Sequence, residues 1–253
     1  MRGFAAFARK EATEILRTWR IWVLPGILLF FALTGPAMAR YTPEILKLAV
    51  GSQMAGFTLP KPTYSDSYSQ WVKNLSQIVM FALIIIYGGI VSSERKSGTA
   101  VLVLTKPVSR PAFILAKLLV HALFLAASVM AGTLITWGGT AIFFGSAPAA
   151  PLFASAGAWC VFGFLFLALM ILLSTAVGSQ AGAAVIGLGV YALLSAVTLW
   201  KPLAAYSPAA LVGGPSLLAA GGRFAALWPV TTSVFLAALL LSAAAVVFNR
   251  KEL

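Results

Sequence analysis

Long apolar segments, separated by short polar or turn-forming stretches, dominate this chain. Most of these segments reach or exceed the roughly 18 residues that a transmembrane helix requires. The pattern therefore predicts an all-α membrane protein, with six transmembrane helices in a single domain over residues 1–253. The predicted spans are residues 21–39, 75–91, 113–144, 152–177, 183–200 and 228–248.

Residues 1–20 have the pattern of an amphipathic helix. Apolar residues recur at steps of three and four, and the basic residues fall mostly on the other side. Such a helix lies in the membrane interface, with its apolar face in lipid and its basic face toward the headgroups. Ala37-Met38-Ala39 resembles a signal-peptidase site, but the long charged leader favours a retained helix. The apolar positions are Phe4, Phe7, Ala8, Ala12, Ile15, Leu16 and Trp19.

Two irregular regions interrupt the apolar pattern. Residues 40–74 are polar and contain three prolines, and Pro43–Phe57 is predicted to form a short surface helix. Residues 201–227 are rich in Pro and Gly yet apolar, which predicts a re-entrant segment on the extracytoplasmic side, before the last span. The aromatic residues predicted to lie in the interfacial belt at a membrane face are Tyr64, Tyr68 and Trp71.

Composition supports a membrane protein, since 60% of the residues are hydrophobic and only 9% are charged. The net charge of +12 does not indicate nucleic-acid binding, because no basic stripe with interleaved aromatics occurs. Twelve Lys and Arg residues fall on the side of both termini and six on the other. This distribution predicts that both termini are cytoplasmic in a multi-pass protein of the plasma (inner) membrane. The lone Cys160 forms no internal disulfide.

The spans lack the ionisable groups that usually mark ion-coupling sites. Residues 118–200 contain no Asp, Glu, Lys or Arg. His121 is the one titratable candidate there, and a single His near a helix end is more often a packed residue than a proton relay. The chain also has no nucleotide-binding glycine loop, no metal-ligand cluster and no catalytic set. We therefore expect no enzymatic activity, cofactor or metal in this chain. If the protein does work, we expect a partner to supply the energy.

A charged, turn-prone island lies between the second and third spans, and its first part is Glu94-Arg95-Lys96-Ser97-Gly98-Thr99. Gly98 permits a sharp change of direction. Thr99 can cap a short helix that runs to about Leu104, and Pro107 then ends it. Ser109 can cap the next helix. The alternative is a basic loop that only sets membrane topology.

The same residues resemble a known family. Glu-Arg-x-Ser-Gly-Thr, followed by Lys-Pro-Val-Ser-Arg, resembles the cytoplasmic loop of ABC-2-type transporter permeases, the membrane subunits of ATP-binding-cassette exporters. The resemblance implies a homodimer that docks two copies of a cytosolic ATPase, which would bind ATP and Mg, through a coupling loop at 92–112. The implied coupling interface is Glu94, Arg95, Ser97, Gly98, Thr99, Val101, Leu102, Leu104, Pro107, Val108, Ser109 and Arg110.

Two further expectations accompany the resemblance. Glu94 is predicted to hold the leader helix through Arg9, Lys10 or Arg17. The translocation path would follow the dimer axis, lined partly by spans two and five. The alternatives to an exporter subunit are a non-transporting membrane anchor or assembly factor that works with an ATPase, and a lipid-directed membrane enzyme, which the lack of a reactive cluster disfavours.

Overall fold

Helices form almost all of the structure that the computed structural model describes, which covers residues 2–50, 61–98 and 110–250. No strand occurs in these residues. In chain order the helices are α1 (Arg2–Arg17), α2 (Arg20–Val50), α3 (Tyr64–Asn74), α4 (Met80–Tyr87), α5 (Ser92–Lys96), α6 (Arg110–Phe144), α7 (Ala149–Val177), α8 (Gln180–Val197), α9 (Lys201–Ala205), α10 (Ala210–Ala219) and α11 (Leu227–Arg250), with a π-helical turn at Leu75–Val79 between α3 and α4.

Six helical segments are long and apolar enough to cross a membrane. α3, the π-helical turn, α4 and α5 together form the second of them. The predicted all-α membrane protein with six spans is therefore confirmed. The spans are Arg20–Leu46, Tyr64–Lys96, Pro111–Phe144, Ala149–Val177, Gln180–Val197 and Leu227–Arg250.

The first span is longer than the sequence pattern predicted. α2 continues through Pro36 and Pro43 to Val50, so the prediction of a separate helix that begins at Pro43 is wrong. Residues 51–57 of that predicted helix lie outside the described residues. Membrane helices tolerate proline because neighbouring helices and Ser or Thr side chains satisfy the freed backbone groups.

The second span begins at Tyr64, 11 residues before the predicted start, because α3 passes through the π-helical turn directly into α4. Tyr68 and Trp71 are completely buried, so their predicted place in an exposed aromatic belt is wrong. Trp71 Nε1 donates to Thr133 Oγ1 at 3.2 Å, and the Tyr68 hydroxyl donates to the Pro148 carbonyl at 3.1 Å. These bonds explain the burial of both polar groups.

The second span and α7 form the centre of the bundle. In the most apolar 18-residue stretch of each span, 72% of the residues of the second span and 61% of those of α7 are buried, against 11% for α11. α7 packs against α6, α10 and α11, while α2 packs against α6. The region 201–227 contains α9 and α10, and α10 packs against α7 and α3.

The second span ends in a turn that is fixed to α7. α4 stops at Tyr87, and α5 begins after the turn at 88–91. The Ser174 hydroxyl oxygen of α7 accepts hydrogen bonds from the backbone N–H groups of Val91 and Ser92, both at 3.0 Å. One buried side chain therefore satisfies two N–H groups at the start of α5, where helical partners are missing.

We expect Ser174→Ala to destabilise the protein by about 1–3 kcal/mol, because two buried N–H donors would lose their acceptor. Ser155→Ala is the matched control on the same helix. Ser155 is equally buried, but its hydroxyl only donates to the Leu152 carbonyl of α7 itself. Unfolding of both variants by SDS titration, followed by circular dichroism, measures the difference. Equal losses in the two variants would show that Ser174 does not anchor the turn.

Candidate functional site

The leader helix α1 packs onto the bundle along one stripe. Phe7, Glu11 and Ile15 are 4%, 0% and 3% exposed, and their four-residue spacing puts them on one helix face. The Phe7 ring stacks on Phe113 of α6, with centroids 4.8 Å apart, and Phe113 stacks on Phe248 of α11 at 5.1 Å. The predicted apolar face is thus turned partly toward protein. We call this end of the bundle, where α1 packs on α6 beside α5 and the end of α11, the leader end.

The opposite edge of the leader stays available to lipid. Leu16 is 65% exposed and Trp19 is 53% exposed, although the sequence pattern grouped both with Phe7 and Ile15. A helix with one side on protein and another side apolar and exposed suits the membrane interface. The break between α1 and α2 at residues 18–19 separates the leader from the first span.

A network of charged side chains lies under the leader stripe, and we call it the buried charge cluster. Lys117 of α6 is completely buried. Its Nζ lies 2.9 Å from Glu11 Oε2 and 3.0 Å from Glu94 Oε2. One ammonium group therefore joins the leader, the end of the second span and the start of the third. The cluster comprises Lys10, Glu11, Glu14, Arg20, Glu94, Lys117 and His121.

Lys10 forms the second bridge between the leader and the second span. Its Nζ pairs with Glu94, and it also lies 3.0 Å from Glu11 Oε1 and 2.7 Å from Glu14 Oε2. Arg20 Nη1 lies 3.5 Å from Glu14 Oε1. Three carboxylates thus face three cations, which satisfies the requirement that buried charges be paired.

His121 completes the buried side of the cluster. The ring is 1% exposed, and Nε2 lies 3.5 Å from Glu11 Oε2. Its edge meets the Tyr87 ring, with the centroids 5.2 Å apart and the planes at 81°. Within the described residues neither ring nitrogen makes a hydrogen bond of good geometry. The packed histidine expected from the sequence is therefore a neighbour of an ionised network.

The electrostatics of the leader side chains favour their charged forms. Burial opposes charge on Lys10, but the three neighbouring carboxylates, led by that of Glu11, outweigh it and raise the pKa of Lys10 above its ordinary value. Burial also opposes charge on Glu11, but contact with His121 and the ammonium groups of Lys117 and Lys10 hold its pKa well below the usual range. Burial opposes charge on Glu14 as well, but the hydrogen bond and the positive charge of Lys10 outweigh this effect and lower the pKa of Glu14. All three groups are therefore charged at neutral pH.

The cluster does not have the arrangement of a metal centre. One carboxylate oxygen from each of Glu11, Glu14 and Glu94 lies within 4.8 Å of the others, a spacing that could hold a cation. However, Lys10 Nζ contacts all three carboxylates and fills the position that a metal ion would need. The arrangement instead links the leader, the second span and the third span to one another through ion pairs.

The structure describes only part of the predicted coupling interface. Arg95 lies at the end of α7, where its Nη2 would be 2.7 Å from a Cβ added to Gly178, a residue with φ of +75°. Ser97 donates to the Glu94 carbonyl at 3.2 Å. Gly98 has φ of +73°, the left-handed conformation that glycine adopts without steric cost. The predicted interface residues that lie outside the described residues are Thr99, Val101, Leu102, Leu104, Pro107, Val108 and Ser109, and for Arg110 only the backbone, which begins α6, is described.

The three predicted leader contacts differ in their placement. Lys10 reaches Glu94, as described above. Arg9 and Arg17 form no ion pair with any residue of the described ranges, and together with Lys10 they border an open groove on the outer side of the leader. The leader therefore contacts the end of the second span through one of the three candidate cations.

Sequence reasoning missed Glu11 and Lys117, although a signal for each existed. Glu11 lies four residues from both Phe7 and Ile15, so it belongs to the apolar stripe of the leader. Lys117 lies four residues from both Phe113 and His121, and it was counted only as a loop cation that orients the chain. A charged residue at the centre of an apolar stripe predicts a buried partner of opposite charge. Glu11 and Lys117 are partners of this kind for each other.

Comparison with known proteins gives a family and a relative. Residues 52–253 match a family model described as a protein of unknown function, DUF2705. The chain belongs to the DUF2705 family. The part that matches DUF2705 contains Glu94, Lys117 and His121 of the buried charge cluster, while the leader residues precede it. The chain is also similar to the uncharacterized transmembrane protein YxlG of Bacillus subtilis (strain 168), with 26% identity over 214 residues, which cover 83% of this chain and 82% of that protein.

Proposed function

We propose that this DUF2705 chain is the membrane-embedded permease subunit of an ATP-driven exporter. Two copies form the translocation path, and each binds a separate cytosolic ATPase through the loop at 94–110. The nucleotide and Mg²⁺ belong to the partner, so this chain itself is not an enzyme. The proposal rests on the resemblance of the loop to that of ABC-2-type permeases, and one structural observation supports it most strongly.

That observation is the closure of the loop at its base by charge pairs. Glu94 is the first residue of the loop and Lys117 follows it, and Lys117 Nζ lies 3.0 Å from Glu94 Oε2. Lys10 and Glu11 attach the leader to the same two residues. A displacement of the loop by a partner would therefore move the second span, the third span and the leader together. A loop that served only to set topology would not need buried charges at its base.

The surroundings of the second and fifth spans also support a path between two copies. Phe81 and Tyr191 meet edge to face at 5.6 Å, and the Tyr191 hydroxyl donates to the Ser76 carbonyl at 2.6 Å, within the π-helical turn. π-helical turns occur frequently at functional sites. Phe81 and Ile85 remain 44% and 52% exposed although their span is the most buried of the six. This exposed apolar face suits the lining of a path between two copies.

The proposed location is the plasma (inner) membrane, with both termini and the loop in the cytoplasm. The support is the excess of basic residues on that side, twelve against six, since cytoplasmic segments of membrane proteins are enriched in Lys and Arg. The leader contributes basic side chains that suit anionic lipid headgroups.

Affinity purification of the intact chain from its native membranes in mild detergent tests the proposal. We expect a cytosolic ATPase to copurify in stoichiometric amounts, and the double variant Leu102→Asp/Leu104→Asp to lose at least about 90% of it, since a few central residues carry most of the binding energy of an interface and a charge there would be desolvated. Leu199→Asp is the control, because Leu199 is 86% exposed at the opposite end of the bundle. Absence of any ATPase would contradict the proposal. A retained ATPase without ATP-driven cargo movement in vesicles would favour the membrane anchor instead.

A further inference from the structure

A cavity of about 490 Å³ lies between α2 and α3, at the end of the bundle opposite the leader. One wall is apolar and comes from α2, where Ala39, Pro43 and Leu46 follow one another at helical spacing. The other wall is polar and carries two cations, Lys61 and Lys73. A cavity with one apolar and one cationic wall matches a ligand that has both an anionic group and a hydrocarbon part.

The two lysines are free to meet an anion. Both are exposed, and neither forms an ion pair with a residue of the described ranges. The single carboxylate of the lining, Asp66, is already engaged. It accepts hydrogen bonds from the Thr63 backbone N–H at 2.7 Å and from the Thr63 hydroxyl at 3.0 Å, which caps α3. The potential that remains in the cavity is positive.

An exposed stripe continues from the cavity along the second span. Lys73 and Gln77 are exposed, and Phe81 and Ile85 follow at the same four-residue spacing. The stripe runs from residue 73 to residue 85 and passes through the π-helical turn at Leu75–Val79. Its first half is polar and its second half is apolar. A primary amide such as that of Gln77 is unfavourable against lipid hydrocarbon, so this face requires a polar or amphiphilic neighbour.

We propose that the cavity and the stripe form a binding site for an anionic amphiphile. The anionic group would lie between Lys61 and Lys73, where charge-assisted hydrogen bonds are available. The hydrocarbon chain would follow Phe81 and Ile85. The site needs only this chain, so its existence does not depend on the proposed coupling to an ATPase. Two sources share this chemistry: a free single-chain acid and an anionic bilayer phospholipid.

Fluorescence titration of the purified chain in phosphatidylcholine nanodiscs tests the site, with dansyl-labelled undecanoic acid as the probe and its methyl ester as the uncharged control. We expect saturable binding of the acid that weakens about tenfold or more in Lys61→Gln/Lys73→Gln, which removes two charge-assisted contacts. Lys201→Gln/Arg223→Gln removes two other exposed cations and should leave the affinity within about twofold, since neither side chain lines the cavity. Equal affinities of the two double variants, or equal affinities for acid and ester, would overturn the proposal.

Native mass spectrometry of the same variants with added phosphatidylglycerol distinguishes the two sources. Phosphatidylglycerol that is retained by the parent chain and lost from Lys61→Gln/Lys73→Gln supports the site with a bilayer lipid as ligand. Acid binding without retention of phosphatidylglycerol supports the site with a free single-chain acid. If neither molecule is bound in a lysine-dependent way, the site does not exist.

Discussion

Lys117→Met should destabilise the protein by about 3–5 kcal/mol, the usual cost of removing one partner from a buried ion pair. The substitution keeps a side chain of similar length but leaves the Glu11 and Glu94 carboxylates without the ammonium that lies 2.9 and 3.0 Å from them. Both glutamates retain Lys10, which is partly exposed. SDS titration of the purified chain, followed by circular dichroism, measures the loss.

Two companion variants decide whether the loss comes from charge. Lys73→Met removes an exposed lysine of the second span and should change the stability by no more than about 0.5 kcal/mol. Glu11→Gln/Lys117→Met removes both charges of the innermost pair and should cost less than the sum of the two single variants, because Glu11 no longer leaves an uncompensated buried charge and Glu94 keeps Lys10. If Lys117→Met were no more destabilising than Lys73→Met, the cluster would contribute nothing to stability.

Glu94→Lys should lower ATP-stimulated transport in reconstituted vesicles at least about tenfold, because like charges in contact cost several kcal/mol at a desolvated site. The new ammonium would lie against those of Lys10 and Lys117, the two partners of Glu94. The leader would then separate from the second span while the residues that follow Gly98 stay unchanged. We therefore expect the ATPase to remain bound while its hydrolysis no longer drives transport.

Glu44→Lys is the matched control for this reversal. Glu44 is exposed in α2 and pairs loosely with Arg40 at 4.0 Å, far from the buried charge cluster. An exposed pair of this kind contributes about 0–1 kcal/mol, so transport should stay within about twofold of the parent. Unchanged transport in Glu94→Lys would show that the cluster does not transmit motion from the loop.

The membrane architecture could be predicted from the sequence because it depends on hydropathy alone. A run of about 20 apolar residues must cross the bilayer as a helix, whatever its neighbours are. The helix boundaries were less predictable. Pro43 was interpreted as the start of a new helix, yet α2 passes through it, and Tyr68 and Trp71 were placed at a membrane surface, yet they pack inside.

The buried charge cluster could be predicted only in part. Glu94 and Lys10 were recognised because Glu94 is the one carboxylate of the charged island and Lys10 is one of the basic residues of the leader. Glu11 and Lys117 were not, since the pairing depends on how α1 packs across α6, and tertiary packing of this kind is not encoded in the hydropathy of either helix. The local signal for their burial was the four-residue spacing that places Glu11 and Lys117 on the same helix face as their apolar neighbours.

Docking of the leader by the buried charge cluster is the central claim, and cysteine accessibility in native membranes tests it most directly. Ile15, 3% exposed in the leader stripe, is changed to Cys in a Cys160→Ser background, and labelling with a water-soluble maleimide is compared with and without Glu94→Lys. Arg9→Cys, at an exposed position that borders the open groove on the outer side of the leader, gives the full-labelling reference. Protection of Cys at position 15 in the parent, and labelling near the reference level in Glu94→Lys, is the predicted result. Full labelling in the parent, or protection that survives Glu94→Lys, would contradict it.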